Sequence, residues 1–152
     1  MYNFDSVYST AWFIIITGIV IAILMPLYAI KDKKNRMSLI IFGVIGSIIC
    51  ISIGINDLNE IKNPEIEIYI GEYIDYDVSG QNSVGEYVFD NHDENDLKAV
   101  FRSEIFRSVF GEIPEKGKWY EIHYLPDTTY RTPVKIEEVS PPDYYKESSE
   151  TE

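Results

Sequence analysis

The sequence predicts a two-helix transmembrane hairpin followed by a small α+β domain with an antiparallel sheet. Two runs of 20 and 19 residues, 11–30 and 37–55, contain no charged side chain. The remainder of the chain alternates apolar with charged residues, a pattern typical of strands with one buried face. The 152 residues include 25 Asp and Glu against 13 Lys and Arg, which gives a net charge of −12.

Each apolar run is long enough to cross a bilayer. A helix rises 1.5 Å per residue, so about 20 residues reach about 30 Å, the thickness of the hydrocarbon core. Apolar side chains lie on all sides of both runs, as expected of membrane spans. Residues 1–10 contain no Lys or Arg, and no small-residue cleavage site follows the first run. A signal peptide is therefore not predicted.

The orientation follows from the loop between the two spans, residues 31–36. It contains four basic residues, which are Lys31, Lys33, Lys34 and Arg36. Basic loops stay on the cytoplasmic side, so we expect this loop inside and residues 1–10 outside. Both termini and everything after residue 55 are then extracytoplasmic, and the protein is a two-span protein of the cell membrane.

Small residues recur at a spacing of four in each span. Gly18 and Ala22 form one such step, and Gly43 and Ser47 form the other. This spacing lets helix backbones approach closely, either within the hairpin or against a partner's helix. The alternative is that small residues are simply common in membrane helices.

After a polar neck at residues 56–64, residues 65–139 are predicted to form the outer domain. The first strand, 65–78, has isoleucines at its even positions, which we expect to face the core, and Gly71 suggests a bulge. Tyr69 and Tyr73 then lie on its polar face. The tail, residues 140–152, has two prolines and few apolar residues, so we expect it to be disordered.

The rest of the outer domain is predicted as three strands and one helix. The strands are 86–90, 119–125 and 130–139, and helical spacing runs from Leu97 to Val109 with Gly111 as the terminating residue. A strand over the same run is the alternative. The order strand–strand–helix–strand–strand suits a curled sheet or partly open barrel similar to an OB-fold.

One segment carries a resemblance to other proteins. The run GKWYEIHYLPDTTYRTPVKIEEV follows the long strand IEIYIGEYIDYDV. Together they resemble small membrane proteins of Gram-positive bacteria in which a paired membrane helix carries a compact β-domain with the pattern G-K-x-Y-x-I-x-Y-L-P-x-T. The matching residues are Gly117, Lys118, Tyr120, Ile122, Tyr124, Leu125, Pro126 and Thr128. The resemblance implies an architecture and no activity.

Enzymatic activity is not predicted. The outer domain offers only His92 and His123 as bases, and neither has an evident nucleophile or partner nearby in the sequence. No phosphate-binding loop, serine-hydrolase elbow or zinc-protease motif occurs. The single cysteine, Cys50, excludes a disulfide framework and a cysteine-based zinc site. We therefore predict no catalytic residue, cofactor or metal ion.

The acidic segment 90–96 has the oxygen-bearing side chains that calcium prefers. Its spacing does not follow the EF-hand pattern, and the turn glycine of that motif is missing. A solvated acidic turn explains the segment equally well. Calcium binding there is therefore left open, and a solvated turn is the favoured interpretation.

The composition predicts a binding surface for a cationic partner. Residues 56–152 hold 23 acidic and nine basic residues, for a net charge of −14. Tyr69, Tyr73 and Trp119 are expected on polar strand faces, where aromatic side chains in an acidic field suit a cationic peptide or a basic protein surface. The favoured alternative is that the sheet buries both of its faces in part, against the helix or the membrane surface, so that these rings are covered. The same charge excludes nucleic acid as a partner.

These observations predict an integral membrane protein that presents an acidic extracytoplasmic β-domain for protein or peptide interaction. One alternative is an immunity or resistance protein that intercepts a cationic membrane-active peptide. Another is an accessory subunit whose helices pack onto a membrane transport or secretion complex. The expected partners are the lipid bilayer and a membrane or extracytoplasmic protein or peptide.

Overall fold

A computed structural model describes residues 1–31, 34–78, 84–92, 98–128, 130–142 and 145. The chain divides into two compact units, which are described separately. The helical unit is formed by residues 7–64 with 127–129. The sheet unit is formed by residues 65–126 and 130–152 together with the first six residues of the chain.

The helical unit contains α1 (Asp5–Lys31) and α2 (Arg36–Lys62), each of 27 residues. Both are long and apolar enough to be candidate membrane spans. Most of their large apolar side chains are exposed, among them Phe13, Ile23 and Phe42. Residues 56–62 of the predicted neck continue α2, because no proline or glycine interrupts the helix between Ile55 and Pro64.

Glycines let α1 and α2 approach each other. A Cβ atom added to Gly18 would lie 3.0 Å from the Cβ of Cys50, and one added to Gly43 would lie 2.5 Å from the Cβ of Met25. Gly54, which the sequence pattern did not single out, is as tightly packed, with Ile15 Cγ1 2.5 Å from the added atom. The close approach of these helices therefore depends on residues without side chains.

In the residues that the structure describes, the sheet unit contains a five-stranded antiparallel sheet on which a helix packs. The strands are β1 (Glu67–Asp77), β2 (Glu86–Asp90), β3 (Ala99–Arg102), β4 (Trp119–Leu125) and β5 (Thr132–Val139), and α3 (Ser103–Phe110) connects β3 to β4. The order across the sheet is β3-β2-β1-β4-β5. The α+β class is thus confirmed, with one strand more than expected. In the described residues the edge strands β3 and β5 both contact α3, and closure into an OB-like barrel stays a prediction.

The run predicted as one helix from Leu97 to Val109 is divided between β3 and α3. The backbone of Arg102 is extended, with φ −60° and ψ 128°, and the helix starts only at the next residue. β3 pairs with β2, so tertiary hydrogen bonds outweigh the helical spacing of its apolar residues. The predicted helix end is confirmed, since Gly111 adopts the left-handed conformation and donates its N–H to the Arg107 carbonyl.

The core of the sheet unit is aromatic and lies between one face of the sheet and α3. Phe89 on β2 stacks on Phe106 of α3 with ring centroids 5.3 Å apart. The buried cluster contains Tyr73, Tyr87, Phe89, Phe101, Phe106, Tyr120, Ile122 and Ile136. Such edge-to-face and stacked pairs add to the stabilisation from buried apolar area.

The predicted buried face of β1 is wrong. Ile68 is 58% exposed, whereas Tyr73 on the opposite face is only 7% exposed. The larger tyrosine rings reach the aromatic core, and the hydroxyl of Tyr69 donates a hydrogen bond to the Phe89 carbonyl at 3.2 Å. The strand is irregular between Tyr73 and Asp75 rather than at Gly71, and this bulge turns Tyr76 toward Tyr87.

Candidate functional site

The sheet face opposite the aromatic core carries most of the chemistry, and we name it the polar face. Residues directly opposite each other on paired strands share a face. Three such rows cross β1, β4 and β5. They are Ile68, His123 and Lys135; Ile70, Glu121 and Glu137; and Glu72, Trp119 and Val139.

At one end of the polar face, His92 contacts the carboxylates of both Glu72 and Asp90. Its Nε2 lies 2.7 Å from the Glu72 carboxylate, and its backbone N–H donates to Asp90 Oδ1 at 2.8 Å. The Lys98 ammonium lies 3.1 Å from the same Asp90. Burial raises the pKa of Asp90, but the His92 N–H and Lys98 outweigh it, so that this pKa is lowered from its ordinary value.

The backbone of His92 has φ +59°. This left-handed conformation is uncommon for residues other than glycine and persists where surrounding contacts hold it. The two contacts to Glu72 and Asp90 supply that constraint. The imidazole is therefore held in a defined position beside Trp119, with ring centroids 5.8 Å apart.

Trp119 lies in the polar face but is covered. Only 2% of it is exposed, and the ring of Tyr145 packs on it with centroids 4.9 Å apart. Tyr145 also packs on His92 at 5.0 Å. Three rings from β4, the segment after β2 and the segment after β5 thus meet beside the Glu72 carboxylate.

At the other end of the polar face, His123 lies between Glu121 and Tyr2. Its Nε2 is 2.7 Å from Glu121 Oε1, and its Nδ1 is 3.3 Å from the Tyr2 hydroxyl. An ionised carboxylate only accepts, so Nε2 carries the proton in neutral His123 and Nδ1 accepts from Tyr2. His123 itself is buried, with only 7% of the residue exposed.

The first residues of the chain belong to the sheet unit. The N–H of Asn3 donates to the Val134 carbonyl of β5 at 2.7 Å, and the Ser6 and Ser108 hydroxyls lie 2.6 Å apart. With the Tyr2 contact to His123, these bonds attach the N-terminal segment to β5 and α3. The edge of β5 is thereby covered in part.

The centre of the polar face combines apolar and acidic groups. Ile68 and Ile70 are 58% and 37% exposed, and they flank Glu121 and His123 of β4 in register. Glu137 on β5 binds Lys135 at 2.8 Å. Exposed aliphatic side chains next to carboxylates are suited to a partner that carries both apolar and basic groups.

The three predicted interaction residues differ in their placement. Tyr73 is a core residue, Tyr69 is half-buried against the core, and Trp119 is on the polar face beneath Tyr145. Tyr73 and Trp119 are therefore covered, in agreement with the favoured alternative of partial burial. Tyr73 lies in the core because the buried face of β1 is the opposite of the predicted one, and Trp119 is covered because β4 buries both of its faces.

The predicted helix-packing residues are brought together in part. Gly18, Gly43 and Ser47 are buried, whereas Ala22 is exposed. The small residues of one helix contact the other helix, as Gly18 and Gly43 show. A Cβ atom added to Gly46 would meet nothing within 4 Å, so this glycine is on an open side of α2.

The predicted topology determinants lie where α1 ends and α2 begins. Lys31 is in the last turn of α1, Arg36 is the first residue of α2, and Lys34 is in the turn between them. All three are exposed. Lys33 lies outside the described residues.

The calcium question falls largely outside the described residues, since 93–97 are not described. Within the part of the chain that the structure describes, no group of three or more His, Cys, Asp or Glu side chains could hold a metal ion. The absence of catalytic and cofactor sites stays a prediction.

Sequence reasoning missed both histidine networks. Glu72 and His92 are 20 residues apart, and Tyr2 and His123 are 121 apart, so neither pair is visible from local spacing. One signal was present: Glu72 interrupts the run of isoleucines on β1. A carboxylate in such a row indicates a partner on a neighbouring strand.

Comparison of this chain with known protein families, with curated proteins and with solved structures gives no significant match.

Proposed function

We propose that this protein is a membrane-anchored binding module. In this proposal α1 and α2 form a hairpin in the bilayer, and the sheet unit lies outside the cell and binds a cationic peptide or protein segment on its polar face. The observation that carries the proposal is the polar face itself, with Ile68 and Ile70 exposed among carboxylates.

The anchor is argued from the two candidate spans. A helix of 27 residues is about 40 Å long, which covers the hydrocarbon core with a turn to spare at each end. Exposed apolar side chains such as Phe13 and Phe42 would contact lipid. The basic turn with Lys31, Lys34 and Arg36 favours a cytoplasmic position for that end of the hairpin.

The placement of the N-terminus is argued from the sheet unit alone. Two spans return the chain to the side from which it started. Asn3 and Tyr2 contact β5 and β4, so the N-terminal segment and the sheet unit must share a compartment. This requirement agrees with an even number of spans in either orientation, and the basic loop alone favours the orientation with the loop inside.

A topology test follows. In a Cys50→Ser background the chain has no other cysteine. We expect an impermeant maleimide to label Lys116→Cys in intact cells and to label Asn35→Cys only after permeabilisation. Labelling of Asn35→Cys in intact cells would contradict the orientation.

The chemistry of the partner is argued from charge and apolar exposure. The net charge of −14 over residues 56–152 attracts cations and repels anionic wall polymers and headgroups. A partner with both basic and aliphatic side chains would meet Glu121 and Glu137 as well as Ile68 and Ile70 in one surface.

The binding test uses the full chain in nanodiscs of neutral lipid and a synthetic amphipathic peptide of lysine and leucine. We expect binding that weakens in high salt, and a loss of about tenfold in the double variant Ile68→Ser/Ile70→Ser. The matched control is Val78→Ser/Ile113→Ser, which removes two exposed aliphatic side chains elsewhere. Equal loss in both double variants, or no loss in either, would show that the polar face is not the binding surface.

The immunity alternative uses the same surface. It predicts that expression protects cells from a cationic membrane-active peptide and that Ile68→Ser/Ile70→Ser reduces this protection. Binding without protection would favour the module over the immunity protein.

A further inference from the structure

We propose that Trp119, His92 and Glu72 form a binding site for an aromatic side chain in a basic peptide, and that the chain's own Tyr145 occupies this site in the structure. The inference rests on the proposed function and specifies what the partner must carry. Tyr145 is then an intramolecular competitor of the partner.

The geometry is that of a ring-binding site. Tyr145 packs on Trp119 at 4.9 Å with an interplanar angle of 56°, and on His92 at 5.0 Å with an angle of 32°. Trp119 and His92 also contact each other, at 5.8 Å and 47°. Centroid separations of this size are those at which aromatic pairs stabilise each other beyond the area they bury.

The site is held by groups other than Tyr145. Trp119 is in β4 and pairs with Glu72 on one side and Val139 on the other. His92 is fixed by the Glu72 carboxylate at 2.7 Å and by its N–H bond to Asp90. Removal of Tyr145 therefore leaves the tryptophan and the imidazole in place, ready for another ring.

Tyr145 itself lies beyond the sheet. The last strand, β5, ends at Val139, and the N–H of Tyr145 donates to the Pro142 carbonyl at 3.1 Å. Because Tyr145 lies outside every strand, it can leave the site without breaking the pairing of β1, β4 or β5. When it leaves, its ring contacts with Trp119 and His92 are among the interactions that are lost.

The charge around the site selects basic flanking residues. The Glu72 carboxylate is 19% exposed and borders the rings, and Asp90 follows in register on β2. A lysine or arginine beside the incoming ring would meet these carboxylates and the tryptophan face, which also attracts cations. An aromatic residue in an acidic peptide would be repelled.

The test exploits the tryptophan content. The chain has two tryptophans, so Trp12→Phe leaves Trp119 as the only one. In the full chain in neutral nanodiscs, we expect Tyr145→Ala to raise acrylamide quenching of Trp119 several-fold. Tyr130→Ala is the matched control, because that ring packs on Arg102 and its loss should leave Trp119 covered. Unchanged quenching in Tyr145→Ala would overturn the inference.

Two peptides then identify the ligand chemistry, acetyl-Lys-Tyr-Lys-amide and acetyl-Lys-Ala-Lys-amide. We expect the tyrosine peptide to restore protection of Trp119 in Tyr145→Ala and to bind this variant at least about tenfold tighter than the wild type, since the tethered competitor is gone. The alanine peptide should bind weakly and leave Trp119 quenchable.

The outcomes separate the two proposals. Equal binding of both peptides, with Trp119 left quenchable, would overturn the aromatic site while the cationic partner of the proposed function stands. Failure of both peptides to bind either protein would overturn the aromatic site. The lysine–leucine peptide then decides the proposed function, because its binding leaves that function standing and its failure overturns it as well.

Discussion

Both faces of β1 carry large apolar or aromatic side chains, but only one of the two faces is covered by the rest of the sheet unit. The core face carries Tyr69 and Tyr73, which pack against Phe89 and the rings around it. The polar face carries Ile68 and Ile70, which remain exposed beside Glu121. Alternation along a strand separates two faces, and the side that is buried depends on which one meets the helix.

The largest effect expected from this comparison is on stability. Phe89→Ala removes a fully buried ring from the core face and should cost about 3–5 kcal/mol of unfolding free energy. Ile68→Ala removes a mostly exposed side chain from the polar face and should change the free energy of unfolding by no more than about 0.5 kcal/mol. Denaturation of the detergent-solubilised full chain measures both. Comparable costs would mean that the polar face is also part of the core.

The same contrast between a packed and an open side holds in the helix pair. Gly43→Ile places a side chain against Met25 and should destabilise the helical unit by about 1–3 kcal/mol, as thermal unfolding of the helical circular dichroism signal would show. Gly46→Ile enters open space and should leave the hairpin unchanged.

Gly46→Ile also tests the accessory-subunit alternative. If α2 packs on a transport or secretion subunit through this side, crosslinking of that subunit in native membranes should be lost while the hairpin stays folded. Retention of every crosslinked partner would argue against this side of α2 as the contact.

A smaller effect concerns Asp90, which supports the histidine on the polar face. Its pKa is lowered in the folded state, so its contribution is present above the ordinary Asp pKa of about 4 and is lost as the pH falls toward the folded value. Asp90→Asn should therefore lose about 1 kcal/mol at neutral pH, and the difference from the wild type should vanish in acid. A difference that persists at low pH would assign the loss to packing.

The smallest effect near neutral pH concerns the core tyrosines. Burial raises the pKa of Tyr73, Tyr87 and Tyr120. Their contribution is complete below the ordinary tyrosine pKa of about 10 and is lost as the pH rises through the folded values. Ultraviolet absorbance should show a group of tyrosines that ionise only together with alkaline unfolding. Full ionisation of all tyrosines before unfolding would contradict this burial.

The sequence predicted the elements of the fold better than their partners. The two apolar helices, strands β2 and β4 and the glycine that ends α3 are confirmed. These elements are predictable because their sequence patterns are local. The length of a charge-free run, turn residues and period-2 alternation can all be read within one segment of the chain. The helix over Leu97–Val109 was wrong at its start, because the apolar spacing of this run suits a helix while β2 supplies strand pairing.

Of the candidate site, the sequence predicted the acidic character but not the contacts between its residues. Glu72 was visible as an interruption on β1, but its bond to His92 joins β1 to the segment after β2. The ring that covers Trp119 comes from Tyr145, after the last strand. Tyr69, Tyr73 and Trp119 were considered as an interaction surface, with partial burial as the favoured alternative, and the sequence did not show which rings would cover them. Alternation alone does not show that rings from other elements lie above a strand.

The sequence by itself determined two helices of membrane-spanning length and composition, a basic turn between them and an acidic α+β domain, because these properties depend on composition and on spacing within one segment. Only the tertiary structure decided which face of the sheet forms the core. It also decided that His92 contacts Glu72, that His123 contacts Tyr2, and that Tyr145 covers Trp119. Each of these depends on contacts between residues far apart in the chain, and such contacts form only when whole strands pair and pack.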